Sequence, residues 1–364
     1  MAHTRNSDET GTLTRPGKPA GLRGALALTV SIGLLLAGGC ASRGASESEQ
    51  DTSGPTSSAA SAPTSSAPSA AEVGANELGE VPILMYHRIT PNPQSVYDRT
   101  PQRFRAELQR LVREDYVPVT TAEYATGNMD VPAGKHPVVL TFDDAAESQF
   151  RLNSSGEPAE GTAVAILREV AAAHEDFRAV ASLYITAPPF GGEHSGRKLR
   201  WLHEHGFELG NHTLDHPTLS ARSASEATHQ IAEMQRRITR AVPDAAVSTI
   251  ALPRGVHPQP EKLARSGESD GVSYQHDAVL LVGARPAPSP FSANFDPLNV
   301  PRIRSQGGSG SGSELGSTAW LDKLAADPDR RYTSDGDPSV ISHPADSTRT
   351  PAPDRRTGKR VNAY

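Results

Sequence analysis

Between Glu80 and Ser305 the apolar positions follow two rhythms. Short, nearly unbroken apolar runs predict buried strands over Val81–Tyr86, Val138–Phe142, Val180–Ile185, Phe207–Leu209, Val247–Leu252 and Ala278–Val282. Between them apolar residues return at helical spacing: Phe104, Leu108, Leu111 and Tyr116, then the stretch Ala163–Ala173, then Ile231, Met234 and Ile238. Shorter helices are predicted over Lys198–His205 and Pro260–Arg265. Local chemistry marks two helix starts. Thr100-Pro101 supplies an N-cap and an N1 proline, and Ser223 with Glu226 makes a capping box. Strands alternating with helices predict an α/β fold with a parallel sheet, either a barrel or an open doubly wound sheet. The length of this stretch suits one α/β barrel.

The ends break the rhythm. Arg5, Arg15, Lys18 and Arg23 precede an apolar run, Ala25–Leu36, that is short for a membrane span of about 20 residues. It fits the core of an export signal. The run leads into "LLLAGGCAS", which resembles a bacterial lipobox with Cys40 as the lipidated residue and new N-terminus. Leu36 stands one position further from Cys40 than that pattern usually has it, and an ordinary secretory signal is the alternative. The expectation is a protein held by its lipid on the extracellular face of the cell membrane, or else secreted. Residues 41–78, rich in Ser, Ala and Pro, read as a disordered linker. After residue 305, "SQGGSGSGSELGS" reads as a flexible linker. The tail beyond it offers one helix, Thr318–Ala326, with Trp320, Leu321 and Leu324 to bury. The division expected is 1–40, signal; 41–78, linker; 79–305, a single catalytic domain; 306–364, linker and tail.

Composition narrows the function. A formal net charge of -6 leaves no basic excess to track phosphates, which argues against nucleic acid. The single cysteine excludes an intramolecular disulfide and a cysteine-based zinc cage.

In parallel α/β folds, ligands gather at the carboxyl ends of strands. "PVVLTFDDAAESQF" ends a buried strand on two adjacent carboxylates, Asp143 and Asp144. They point different ways, so one can face a metal and the other a substrate; a turn or helix cap is the plain alternative. In "ELGNHTLDHPTLS", His212 and His216 stand four apart, a spacing that on a helical turn lets both share one metal. Two imidazoles and one carboxylate make a three-ligand site with an open position, as in catalytic zinc centres. "TIALPRGVHP" ends another strand on a tight turn at Pro253-Arg254-Gly255. His87 in "ILMYHRI" closes the first strand, where a lone histidine is more often structural.

Taken in order, "TFDD", "HTLDH" and "ALPRG" resemble the motifs of the polysaccharide deacetylase family, the NodB-homology or carbohydrate esterase family 4 domain. "PILMYHRI" and "VPRI" look like its branch that de-N-acetylates poly-N-acetylglucosamine. The resemblance covers residues 80 to 305 and implies a distorted (β/α) barrel with seven or fewer complete units. It implies that Asp144, His212 and His216 bind zinc or another divalent ion, and that Asp143 is the general base. Arg254 would offer its backbone N–H to the oxyanion, and His87 would be the general acid. The partner implied is an extracellular or cell-wall polysaccharide containing N-acetylglucosamine. An O-acetyl esterase and an inactive glycan-binding relative are the alternatives. Two positions depart from the family pattern: Ala145 stands where a glycine follows the paired aspartates, and Ala251 where an arginine orients the base. No convincing late Leu-x-x-His motif is present; "SVISHP" around His343 is a poor candidate.

Overall fold

The computed structural model describes residues 68–306, 312–355 and 358–364. The expected export signal, Cys40 and the expected linker up to residue 67 lie outside the described residues. The elements are β1 (Ile83–Tyr86), α1 (Pro101–Arg113), β2 (Tyr116–Val119), α2 (Thr121–Thr126), β3 (His136–Phe142), α3 (Ala163–Ala171) and β4 (Ser182–Ile185). Then come α4 (Ser195–Glu204), β5 (Glu208–Asn211), α5 (Ala224–Ala241), β6 (Thr249–Ala251), β7 (Ser266–Ser269), β8 (Val272–Gln275), β9 (Ala278–Leu280) and β10 (Ile303–Arg304). The last are α6 (Ser317–Ala326), β11 (Val340–His343) and β12 (Arg360–Ala363).

The six expected strands are the spine of one parallel sheet in the order β10-β1-β3-β4-β5-β6-β9, with β2 also beside β3. Parallel pairing requires crossovers, and the helices supply them. Thr100 caps α1 by accepting from the Arg103 N–H, and Pro101 takes the first turn. Ser223 and Glu226 cap α5 reciprocally. Helix α1 buries Phe104, Leu108 and Leu111, and the Phe104 ring meets Tyr86 edge-on at 5.1 Å between centroids. Both ends of the sheet meet one segment: Val300 bridges Leu280 of β9, while Ile303 pairs with Leu84 of β1. Residues 300–304 therefore close the curled sheet into a distorted barrel. Gly283 permits this approach, because a Cβ there would lie 2.8 Å from the Arg302 backbone nitrogen.

Three expectations need correction, and one hairpin was not expected. Tyr116 does not continue α1; Asp115 turns left-handed at φ 58° and Tyr116 opens β2, whose Pro118 hides it from a strand pattern. Residues 266–275 form a β7–β8 hairpin turning at Asp270-Gly271, both at positive φ as a tight hairpin turn requires. The linker assigned to 41–78 does not extend to its stated end: Ala75 to Leu78 are buried, and the Asn76 N–H donates to the Thr333 carbonyl at 2.8 Å. Nor is the described part of 306–364 a loose tail with one helix. Helix α6 does bury Trp320, Leu321 and Leu324, but Tyr332, Val340 and Ile341 are buried too, and β11 pairs with β12. The tail folds because its polar groups find partners: the Ser342 N–H and the Tyr332 hydroxyl donate to the Glu77 carboxylate at 3.0 and 3.1 Å. His343 ends β11, outside the eight-stranded sheet.

Candidate active site

Each chemical motif sits just past the carboxyl end of a strand. His87 follows β1, Asp143 and Asp144 follow β3, His212 follows β5, and Arg254 lies beyond β6. Strands β1 and β3 are paired in register up to Tyr86 and Phe142, so His87 and Asp143 leave adjacent strands together. The Asp143 N–H donates to the Tyr86 carbonyl at 3.0 Å. Fully buried Gln149 ties the two exits, its amide donating to the carbonyls of His87 at 3.0 Å and Asp143 at 2.5 Å.

Asp144, His212 and His216 bring one ligand atom each within 4.8 Å of one another. Asp144 Oδ1 lies 3.5 Å from His212 Nε2 and 3.6 Å from His216 Nε2. The spacing of the two histidines is not that of a helical turn, as expected, but of a loop: Thr213 and His216 both take left-handed backbone, at φ 66° and 52°. The ring centroids end 4.8 Å apart. His212 Nδ1 lies 2.7 Å from the Ala251 carbonyl, which can only accept, so Nδ1 carries the proton. That leaves a lone pair on Nε2, which is buried and has no hydrogen-bond partner. An orphaned basic nitrogen beside a carboxylate and a second imidazole is the donor set of a divalent metal, and the backbone carbonyl behind His212 is the usual orienting partner of such a ligand. The three residues fit a metal.

Asp143 is held differently. Arg302 Nη1 and Nη2 donate to its two oxygens at 2.7 and 2.8 Å. The guanidinium is fully buried and spends its other donors on the Leu281 carbonyl and the Thr141 hydroxyl. Burial alone raises the Asp143 carboxyl, but the charge of Arg302, with His212 and the two hydrogen bonds, outweighs it and holds Asp143 well below the usual carboxylate range. Asp144, half exposed, is also lowered, its burial offset by the His212 imidazole. Burial pushes His87 down although Asp143 and Asp144 pull it up, and its buried Nδ1 has no partner. The ring of Tyr97 packs against it at 5.0 Å.

Both departures from the family pattern are resolved. Ala145 takes the glycine-like backbone regardless, at φ 47°, directly after Asp144 at φ 76°. Ala251 brings no guanidinium, yet one reaches Asp143 from the closing segment through Arg302. In the sequence, Arg302 is marked only as an arginine inside the apolar "NVPRI". Arg254 itself sits left-handed at φ 59°, its side chain donating to the Thr218 hydroxyl.

Residues 130–269 match the family model described as polysaccharide deacetylase. The chain carries a polysaccharide deacetylase domain. The matched segment holds Asp143, Asp144, His212, His216 and Arg254, while His87 and Arg302 lie to either side of it. A chitooligosaccharide deacetylase of Sinorhizobium fredii is 38% identical over 58 residues, 16% of this chain and 27% of that protein. The chain thus spans about a quarter of the length of that relative. Among solved structures, the Streptococcus pyogenes deacetylase PplD in complex with acetate aligns over 65% of this chain and 96% of its own, with a TM-score of 0.49 and 19% identity. IcaB from Ammonifex degensii aligns over 66% and 97%, with a TM-score of 0.44 and 20% identity.

Proposed function

We propose that this protein is a metal-dependent hydrolase that removes N-acetyl groups from an N-acetylglucosamine-containing polysaccharide outside the cell. The observation that carries the reading is the unpartnered, buried Nε2 of His212 beside Asp144 and His216, next to a carboxylate locked by Arg302. Asp144, His212 and His216 would hold the ion, zinc or another divalent metal. When bound, it would lower the pKa of a water from 15.7 to about 7 and polarise the amide carbonyl.

The chain's own groups supply the rest. Arg302 favours the ionised form of Asp143, and its two-pronged bond fixes which way the carboxylate oxygens face. Asp143 takes the proton from the attacking water. The Arg254 backbone N–H would be offered to the developing oxyanion, a contact typically worth about 3 kcal/mol. His87 gives a proton to the departing amine, without which the C–N bond does not break readily. Burial disfavours the charged form of this ring, so His87 must take up a proton before this step.

The test is acetate release from N-acetylglucosamine oligomers alongside metal content. Chelation should abolish release and a divalent ion restore it; full turnover by metal-free protein would end the reading. Location is part of the same proposal: a lipid on Cys40 would tether the domain at the outer membrane surface, near such a glycan. Cys40→Ala should move the protein out of the membrane fraction, and unchanged membrane association would count against the anchor.

A further inference from the structure

Beside the metal ligands lies an open pocket of about 530 Å³ lined by Asp144, Ala145, Glu147, Arg151 and Thr186. It shares Glu147 and Arg151 with a second pocket of about 370 Å³, lined also by Asn153, Arg197 and Lys198. The two therefore adjoin, in a groove that leads from Asp144 to Lys198.

The second pocket has an unusual cation. Lys198 is only 7% exposed, yet its ammonium has one partner, the Phe190 carbonyl at 2.7 Å. Among the described residues no carboxylate pairs with it. A buried charge is normally paired, because taking it out of water is costly. The side chains of Arg151 and Arg197, both exposed, form no hydrogen bond or ion pair among the described residues. Glu147 and Glu193 also line this pocket, but among the described residues neither forms an ion pair with the three cations, which outnumber them. By contrast, Arg88, at the metal-side pocket, is already held by Asp98 at 2.6 Å. Three cations without a carboxylate partner, against two carboxylates, leave this concave site net positive and suited to an anion. A glycan running along the groove from Asp144 would place its neighbouring sugar here.

We propose that this pocket binds a carboxylate on the sugar next to the one deacetylated, so that the natural glycan is anionic. The inference rests on the deacetylase reading and refines its substrate class. The test compares three tetrasaccharides: neutral N-acetylglucosamine, one alternating with N-acetylmuramic acid, and one alternating with glucuronic acid. Equilibrium binding and acetate release are measured for each. The better carboxylate-bearing ligand should bind about tenfold more tightly than the neutral one, and which of the two it is identifies the source of the carboxylate. The preference should shrink as salt rises. Arg151→Ala and Arg197→Ala, both at exposed positions, should each cut the anionic-to-neutral ratio several-fold; Lys198→Met should do so if it folds. Equal binding of neutral and anionic ligands, or a ratio untouched by both arginine variants, would overturn the proposal. Failure of the deacetylase reading looks different: no acetate from any of the three, while the binding ratio still decides the pocket.

Discussion

Removing Arg302 would strand Asp143 as an unpaired charge in a dry site. Arg302→Met should therefore cost about 3–5 kcal/mol in urea unfolding, with a large loss of turnover. Pairing it with Asp143→Asn should restore much of that stability, since the double variant buries no lone charge. A double variant no more stable than either single one would contradict a coupled pair. Arg302→Lys keeps the charge but not the two-pronged geometry. It should recover stability better than turnover, which marks Arg302 as a positioning residue. At the neighbouring turn, Ala145→Gly should raise stability by up to about 1 kcal/mol, because alanine at φ 47° carries a steric strain that glycine lacks. No gain would mean that glycine's extra freedom in the unfolded chain cancels the relief.

Helix α6 shows what local pattern reveals and what it hides. Its buried face of Trp320, Leu321 and Leu324 was legible, but not that it anchors a folded tail. Leu321→Ala should cost about 2–5 kcal/mol in a denaturant melt, as for any fully buried leucine; a cost near zero would make the tail dispensable. The elements visible in the sequence are those whose evidence is local: unbroken apolar runs for β1, β3, β4, β5, β6 and β9, and cap residues for α1 and α5. Strand β2 escaped because Pro118 interrupts it, and β10 because it is only two residues long. The site divides the same way. Asp143, Asp144, His212 and His216 were legible as two short motifs at strand ends. Arg302 was not, because its partner lies 159 residues away and only closure of the barrel brings them together. The loop geometry of the two histidines was hidden too, since a spacing of four suits a helix and left-handed turns at Thr213 and His216 do not show in composition.

At the scale of the whole molecule, Glu77 joins the two ends of the described chain. Its carboxyl contacts Tyr332 and Ser342 and, buried beside Asp335, is pushed up to about 8. The folded state thus holds this proton far above the ordinary glutamate value of about 4.3. Its contribution to stability is complete below that value and is lost as pH climbs toward 8. Unfolding free energy should accordingly decline between pH 5 and 8.5, and Glu77→Gln should flatten that decline; an unchanged slope in the variant would place its cause elsewhere.

The central claim is that Asp143 and Asp144, side by side, do different work. The direct measurement is metal content and acetate release for Asp143→Asn, Asp144→Asn and His212→Ala against the parent protein. The account predicts that Asp143→Asn keeps its full metal equivalent and loses turnover by orders of magnitude. Asp144→Asn and His212→Ala should lose both, because a three-ligand site cannot spare one. Metal lost from Asp143→Asn but retained by Asp144→Asn would contradict it.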